Sequence, residues 1–85
     1  MTKTIHSDEM FALRCWLKAK REERGLSMRA LGERFDKPHT FIQNVENGDR
    51  RLDVVEYVWY CHELQIEPQE GLALIEQSMI KQTPK

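Results

Sequence analysis

Apolar positions recur along this chain at intervals of three and four, the period of a helix face, and no segment alternates as a half-buried strand would. Met10, Leu13 and Leu17 form the first stripe, with Trp16 at its flank. Ser7 or Asp8 can cap this helix. Asp8 and Glu9 suit its first turn, and Lys18, Lys20, Arg21 and Arg24 gather near its end, where the helix dipole favours cations. Gly25 is placed to stop it, which predicts a helix from about residue 8 to Arg24. Residues 1–7 carry no apolar pattern and are expected to be a flexible tail.

Ser27 is a good cap for a second helix over 28–35, with Leu31 and Phe35 facing inward. Asp36-Lys37-Pro38 makes a turn, and Pro38 suits the first position of a third helix that runs to Glu46 with Ile42 and Val45 inward. Asn47-Gly48 ends it, Gly48 in a left-handed conformation. After the loop Asp49–Leu52, Asp53 and Glu56 form a capping-box pair for a fourth helix. Its stripe is Val54, Tyr57, Val58, Cys61 and Leu64, with Val55 and Tyr60 beside it and Trp59 on another face. Pro68 starts a fifth helix to about Ile80, where Leu72, Ile75 and Met79 are expected to pack on helix four, leaving Leu74 and Ile80 outward near Trp59. The fold class is all-α, five short helices.

Composition narrows the chemistry. Eighty-five residues, 40% hydrophobic and 32% charged, make one small globular domain with a limited core. No apolar run approaches the roughly 18 residues of a membrane span, and no signal-peptide core is visible, so a cytoplasmic location is expected. Cys15 and Cys61 lie inside helical patterns without zinc-ligand spacing and are expected as buried, reduced thiols; no metal or cofactor is expected. His6, His39 and His62 fall in different segments and no nucleophile has a base at motif spacing, so the chain is not expected to be an enzyme. The net charge of −1 hides an asymmetry. Residues 1–51 hold 11 Lys and Arg against 8 Asp and Glu, whereas residues 52–85 hold 2 against 6.

Two short helices joined by a tight turn, with polar side chains exposed on the second, are the layout of a helix-turn-helix whose second helix enters the DNA major groove. Arg21, Gly25-Leu26-Ser27, Leu31, Ile42, Glu46-x-Gly48 and the run from Val54 to Ile66 stand in order over about residues 13–67. In these the chain resembles the Cro/phage-repressor (Xre-type) helix-turn-helix family, and Arg50 to Tyr57 resembles a variant seen in bacterial members. The resemblance implies a five-helix lambda-repressor-like DNA-binding domain, and it implies that Arg21 and Glu46 pair as a buried tie between the first and third helices.

With Ile42 and Val45 inward, His39, Thr40, Gln43 and Asn44 are the candidates for reading bases. Gln and Asn can bond adenine N6 and N7 in a fork. Phosphate candidates are Met28, Arg29, Lys37, Asn47, Arg50 and Arg51, with Asn47 and Arg50 best supported by the resemblance. Met28 departs from the Gln that family members usually carry there and has no hydrogen-bond donor, so either the phosphate contact is lost or Met28 packs on sugar or a thymine methyl. Phe41 is expected to pack rather than touch a base. The apolar surplus of the last helix, taken as residues 68–85 with its tail, suggests a homodimer through Trp59, Leu74 and Ile80. The expectation is therefore a bacterial or phage transcription regulator, a repressor binding double-stranded DNA at a palindromic operator, with residues 8–67 as the DNA-binding domain and no small-molecule ligand. The alternatives are an antitoxin, a restriction-modification controller, or a protein-interaction module that has lost DNA binding.

Overall fold

The structure, a computed structural model, describes residues 7–82, with side chains as far as Met79. Five helices follow one another: α1 (Asp8–Glu23), α2 (Met28–Arg34), α3 (His39–Asn47), α4 (Val54–Leu64) and α5 (Pro68–Gln82). No strand occurs among the described residues, and the all-α class stands.

Local chemistry sets the helix starts. The Ser7 hydroxyl accepts from the Met10 amide at 3.2 Å, and Ser27 accepts from Ala30 at 3.0 Å. Asp53 accepts from the Glu56 amide at 2.8 Å while Glu56 accepts from the Asp53 amide at 3.2 Å, so the capping box is reciprocal. Pro38 is the cap of α3 rather than its first residue, and it makes no side-chain capping bond.

The first four helices all stop in the same way. A residue with positive φ follows each, and the next amide reaches back to the carbonyl five residues earlier: Leu26 to Arg21, Lys37 to Gly32, Asp49 to Asn44 and Ile66 to Cys61, at 2.8–3.2 Å. That is the bonding of the Schellman stop. The positive-φ residues are Gly25 (69°), Asp36 (57°), Gly48 (82°) and Gln65 (58°). Glycine occupies this region without cost, whereas Asp and Gln bring a Cβ toward a carbonyl oxygen. Arg24 adds a second cap across the fold. Its Nε donates to the Leu64 carbonyl at 2.8 Å and its second Nη to the Gln65 carbonyl at 3.0 Å, so a cation from the end of α1 closes the end of α4.

The core is Leu13 and Leu17 of α1, Leu31 of α2, Ile42 and Val45 of α3, and Tyr57, Tyr60, Cys61 and Leu64 of α4. Three expectations change here. On α4, Val54 and Val58 are exposed, and Tyr60 is fully buried in their place, its ring against Phe35 at 5.4 Å between centroids. The helix is apolar nearly all round, so its period did not choose a face. Burial pushes the Tyr60 phenol up, and its hydroxyl makes no hydrogen bond among the described residues. On α1, Cys15 is exposed because Leu13, Leu17 and Arg21 turn the opposite side inward; Cys61 is buried, and both are free thiols. Finally, α5 lies mainly along α1 rather than α4. Leu72 and Met79 are therefore about half exposed, and Ile75 and the expected outward residue Leu74 are half-buried. Gly71 makes the approach possible. A Cβ there would sit 2.7 Å from Trp16 Cζ3 and 2.9 Å from Leu13 Cδ1, and would collide with the Tyr57 hydroxyl, which donates to the Pro68 carbonyl at 2.6 Å.

The two strained helix stops give a direct test. Gln65→Gly and Asp36→Gly keep every backbone bond and remove a left-handed Cβ. Each should raise stability by up to about 1 kcal/mol in urea unfolding, whereas Gly48→Ala should lower it.

Candidate nucleic-acid interface

The α2–α3 unit is held to α1 by one buried charge. Arg21 is the buried charged residue of the described chain, and its Nε and one Nη donate to the two Glu46 carboxylate oxygens at 2.6 and 3.2 Å. The other Nη donates to the Leu26 carbonyl at 2.7 Å. The side chains of Arg21 and Glu46 are 8% and 2% exposed. The Glu46 hydrogen bonds raise the Arg21 pKa, so the guanidinium stays charged despite its burial. Glu46 lies in the last turn of α3, and the pair fixes that end of the helix to α1 and to the α1–α2 loop. Arg14, a residue that sequence reasoning passed over, lies across the same helix end. Its guanidinium atoms are about 3 Å from where a Cβ on Gly48 would be. No basic residue stands in the last turn of α3 itself, so α1 supplies the cation that the helix dipole favours.

With Ile42 and Val45 buried, α3 exposes His39, Thr40, Gln43, Asn44 and Asn47. The backbone of Asn44 is occupied, its carbonyl accepting from Asp49 and Arg50 at 2.8 and 3.2 Å, while its side chain stands outward. The face therefore offers amide, hydroxyl and imidazole groups over successive turns, the chemistry that base edges can bond.

The residues named for phosphates are placed differently from one another. Arg29 and Arg51 are exposed. Met28 is half-buried and packs against the core, an environment that suits an apolar thioether. Phe41 is half-buried with its ring edge-on to Phe35 at 6.1 Å, and two cations gather over it: Lys37 at 5.9 Å and Arg50 at 4.6 Å from the centroid. Arg50 is further bound to Glu56, its two Nη atoms donating to the two carboxylate oxygens at 2.8 and 2.9 Å. Arg34 is paired with Glu63 at 3.7 Å, linking α2 to α4. Away from this face, Trp59 is 56% exposed on α4 and Leu74 half-buried on α5; the side chain of Ile80 lies outside the described residues. Among the described residues no helix is long and apolar enough to cross a membrane.

Arg21→Ala and Glu46→Ala should each cost about 3–5 kcal/mol in thermal or urea unfolding, because each strands the opposite charge in the core. A loss below about 0.5 kcal/mol in both would remove the pair from any role in stability.

The half-buried pair of Arg50 and Glu56 behaves otherwise with pH. Hydrogen bonds from Arg50, and then from the Asp53 amide, hold Glu56 below its ordinary value of about 4.5. A depressed carboxylate stabilises the fold above its unfolded value and loses that contribution as pH falls through its folded value. The stability difference between the unaltered protein and Glu56→Gln should thus be level above about pH 5 and shrink on further acidification, read from melting curves at each pH.

The family model for helix-turn-helix proteins matches residues 17–70, which spans all of α2, α3 and α4. Among solved structures, an XRE-family like protein from Pseudomonas syringae pv. tomato str. DC3000 superposes with a TM-score of 0.78 at 32% sequence identity, covering 88% of this chain and 92% of that one. No curated protein matches the chain. The matched span coincides with the α1–α3 tie and the exposed face of α3, and the chain belongs to the Cro/C1-type (Xre) helix-turn-helix family of DNA-binding transcription regulators.

Proposed function

We propose that this chain is a repressor that recognises a palindromic operator as a homodimer, with α3 in the major groove. The observation that carries the reading is the outward row His39, Thr40, Gln43 and Asn44, opposite the buried Ile42 and Val45 on a helix anchored at its end by Arg21 and Glu46. In this reading Gln43 and Asn44 contribute forked bonds to adenine, Thr40 meets a thymine methyl or a phosphate, and His39 donates to guanine or phosphate. Arg29, Lys37, Asn47, Arg50 and Arg51 contact the backbone and set the register, with Met28 beside them offering packing rather than a donor.

The two-fold part rests on geometry and on exposed apolar surface. Two recognition helices must stand about one DNA turn apart to read a palindrome. Trp59, with Val55 and Val58 beside it, gives α4 an exposed apolar face, and the carboxylates at its two ends, Glu56 and Glu63, are already paired with Arg50 and Arg34. Such an uncharged face can meet its own copy without like-charge repulsion. Leu74, half-buried on α5, is the further candidate for this interface, and Ile80 is a candidate from the sequence alone.

A selection from random duplexes, followed by binding measured across a salt series, tests the whole reading. The protein should enrich a two-fold sequence and lose affinity steeply as salt rises. Gln43→Ala should flatten the preference at one position of each half-site, a loss of about 1–3 kcal/mol in discrimination. Sedimentation at tens of micromolar should show a dimer; a monomer there removes the two-fold part alone. Absence of DNA binding at low salt would instead favour an interaction module that keeps the fold, a reading supported by the pairing of Arg34 and Arg50 with the chain's own carboxylates.

A further inference from the structure

Arg50 follows the stop of α3 and is held on three sides. Glu56 of α4 takes a bond from each Nη, and the first Nη also donates to the Arg51 carbonyl at 2.7 Å. The guanidinium carbon lies over the Phe41 ring, 4.6 Å from its centroid. Glu56 is itself fixed, since it accepts from the Asp53 amide within the capping box. These bonds use both hydrogens of one Nη and one hydrogen of the other. The Nε–H and the remaining Nη–H make no hydrogen bond among the described residues, and the side chain is 38% exposed. Those two hydrogens share one edge of the planar group, an edge able to fork onto a phosphate.

The guanidinium is therefore aimed, yet its charge is balanced by a carboxylate less than 3 Å away. These two facts act in opposite directions on a polyanion. Immobilisation lowers the entropy lost on contact, whereas charge pairing removes the counterion release that an unpaired arginine would bring.

We propose that Glu56 attenuates DNA-backbone binding through Arg50, holding its outer edge ready for a phosphate while cancelling the charge that would make the contact strong. Glu56 shares the orienting with Phe41 and the Arg51 carbonyl, but it alone supplies the opposing charge, so the charge of Glu56 sets the strength. The proposal rests on the DNA-binding reading and adds to it a residue of α4, outside the two-helix motif, that tunes the electrostatic share of binding.

Glu56→Gln is the informative change, because the amide oxygen can still accept from the Asp53 amide and keep the helix start. Binding to a mixed-sequence duplex of about two helical turns is measured across a salt series for four proteins: unaltered, Glu56→Gln, Arg50→Gln and the double substitution. Glu56→Gln should bind about 3–10-fold more tightly near 0.1 M salt, with a log–log salt slope steeper by roughly one. In the Arg50→Gln background the same change should have no effect. Equal tightening in both backgrounds would overturn the proposal, since Glu56 would then act as a through-space charge independent of Arg50. No tightening, or a weakening, by Glu56→Gln overturns it as well.

A second readout needs no variant to fold. In the unaltered protein the Arg50 Nε–H resonance should shift on adding duplex, and an unmoved resonance at saturation overturns the contact. Failure of the unaltered protein to bind any duplex at low salt is a separate outcome, which removes the DNA-binding reading itself.

Discussion

The orientation of the second helix of the motif depends on a single guanidinium. α3 is nine residues long, too short to persist in water unaided, and its position must come from packing. Ile42 and Val45 supply the apolar share of that packing, but apolar contacts tolerate sliding and rotation. Arg21 does not. Its planar donors meet two oxygens of Glu46 and one carbonyl of the α1–α2 loop, and a displacement of either helix by an ångström would leave a charge buried without its bonds. A buried pair of this kind adds little net stability compared with a well-packed apolar pair, yet the penalty for misplacing it is steep. Its contribution is to the uniqueness of the docking. The C-terminal end of α3, and with it the register of the outward face, is tied to α1 through that contact.

The helix stops show how far local sequence carries such a fold. The same reverse bonding ends α1, α2, α3 and α4, and it requires one residue of positive φ at each end. Where that residue is glycine, at positions 25 and 48, the stop can be read from the sequence. Where it is Asp36 or Gln65, the segment reads only as a turn or connector, because Asp enters the left-handed region far less readily than glycine and Gln carries no preference for it. The geometry there is imposed from outside. Gln65 is followed by an amide bonded back to Cys61, and its own carbonyl is held by Arg24 from α1, a contact across 41 positions that no window of sequence displays. Pro38, two residues after Asp36, disfavours continuation of helix in the residue before it and so helps to end α2 there.

Packing of the last two helices was less legible, for a related reason. A stripe identifies a buried face only when the other faces are polar. In α4 the run Val54 to Cys61 is broken by Glu56 alone, and either Val58 or Tyr60 satisfies the spacing. The choice falls to volume, since Tyr60 fills the space beside Phe35 that a valine would leave open. In α5 the decisive residue is Gly71, which carries no hydrophobic signal at all but allows the helix to approach Trp16 and Leu13 of α1. The outward face of α3 was the more readable part of the site. Two inward residues on a short helix determine its opposite side, and His39, Thr40, Gln43 and Asn44 are all exposed there. The cations around it were not readable in the same way. Nothing in the spacing of Arg50, Glu56 and Phe41 announces that they converge, because Phe41 is on α3 and Glu56 on α4.

That convergence bears on how a nearly neutral chain can discriminate between DNA sequences. Non-specific affinity grows with the number of phosphates that cations neutralise, whereas discrimination comes from base contacts that do not depend on net charge. Here Arg21, Arg34 and Arg50 are all committed to carboxylates of the same chain, and Lys20 stands 3.5 Å from Glu23. Each commitment lowers the sequence-independent term and leaves the polar row of α3 untouched. Because a regulator competes with a vast excess of wrong sites, the ratio of specific to non-specific binding matters more than either affinity alone. In the proposed reading, pairing arginines internally lowers overall affinity and places the burden of recognition on the side chains of α3. Rigid placement of that helix then becomes decisive, which is the role of the buried Arg21–Glu46 contact.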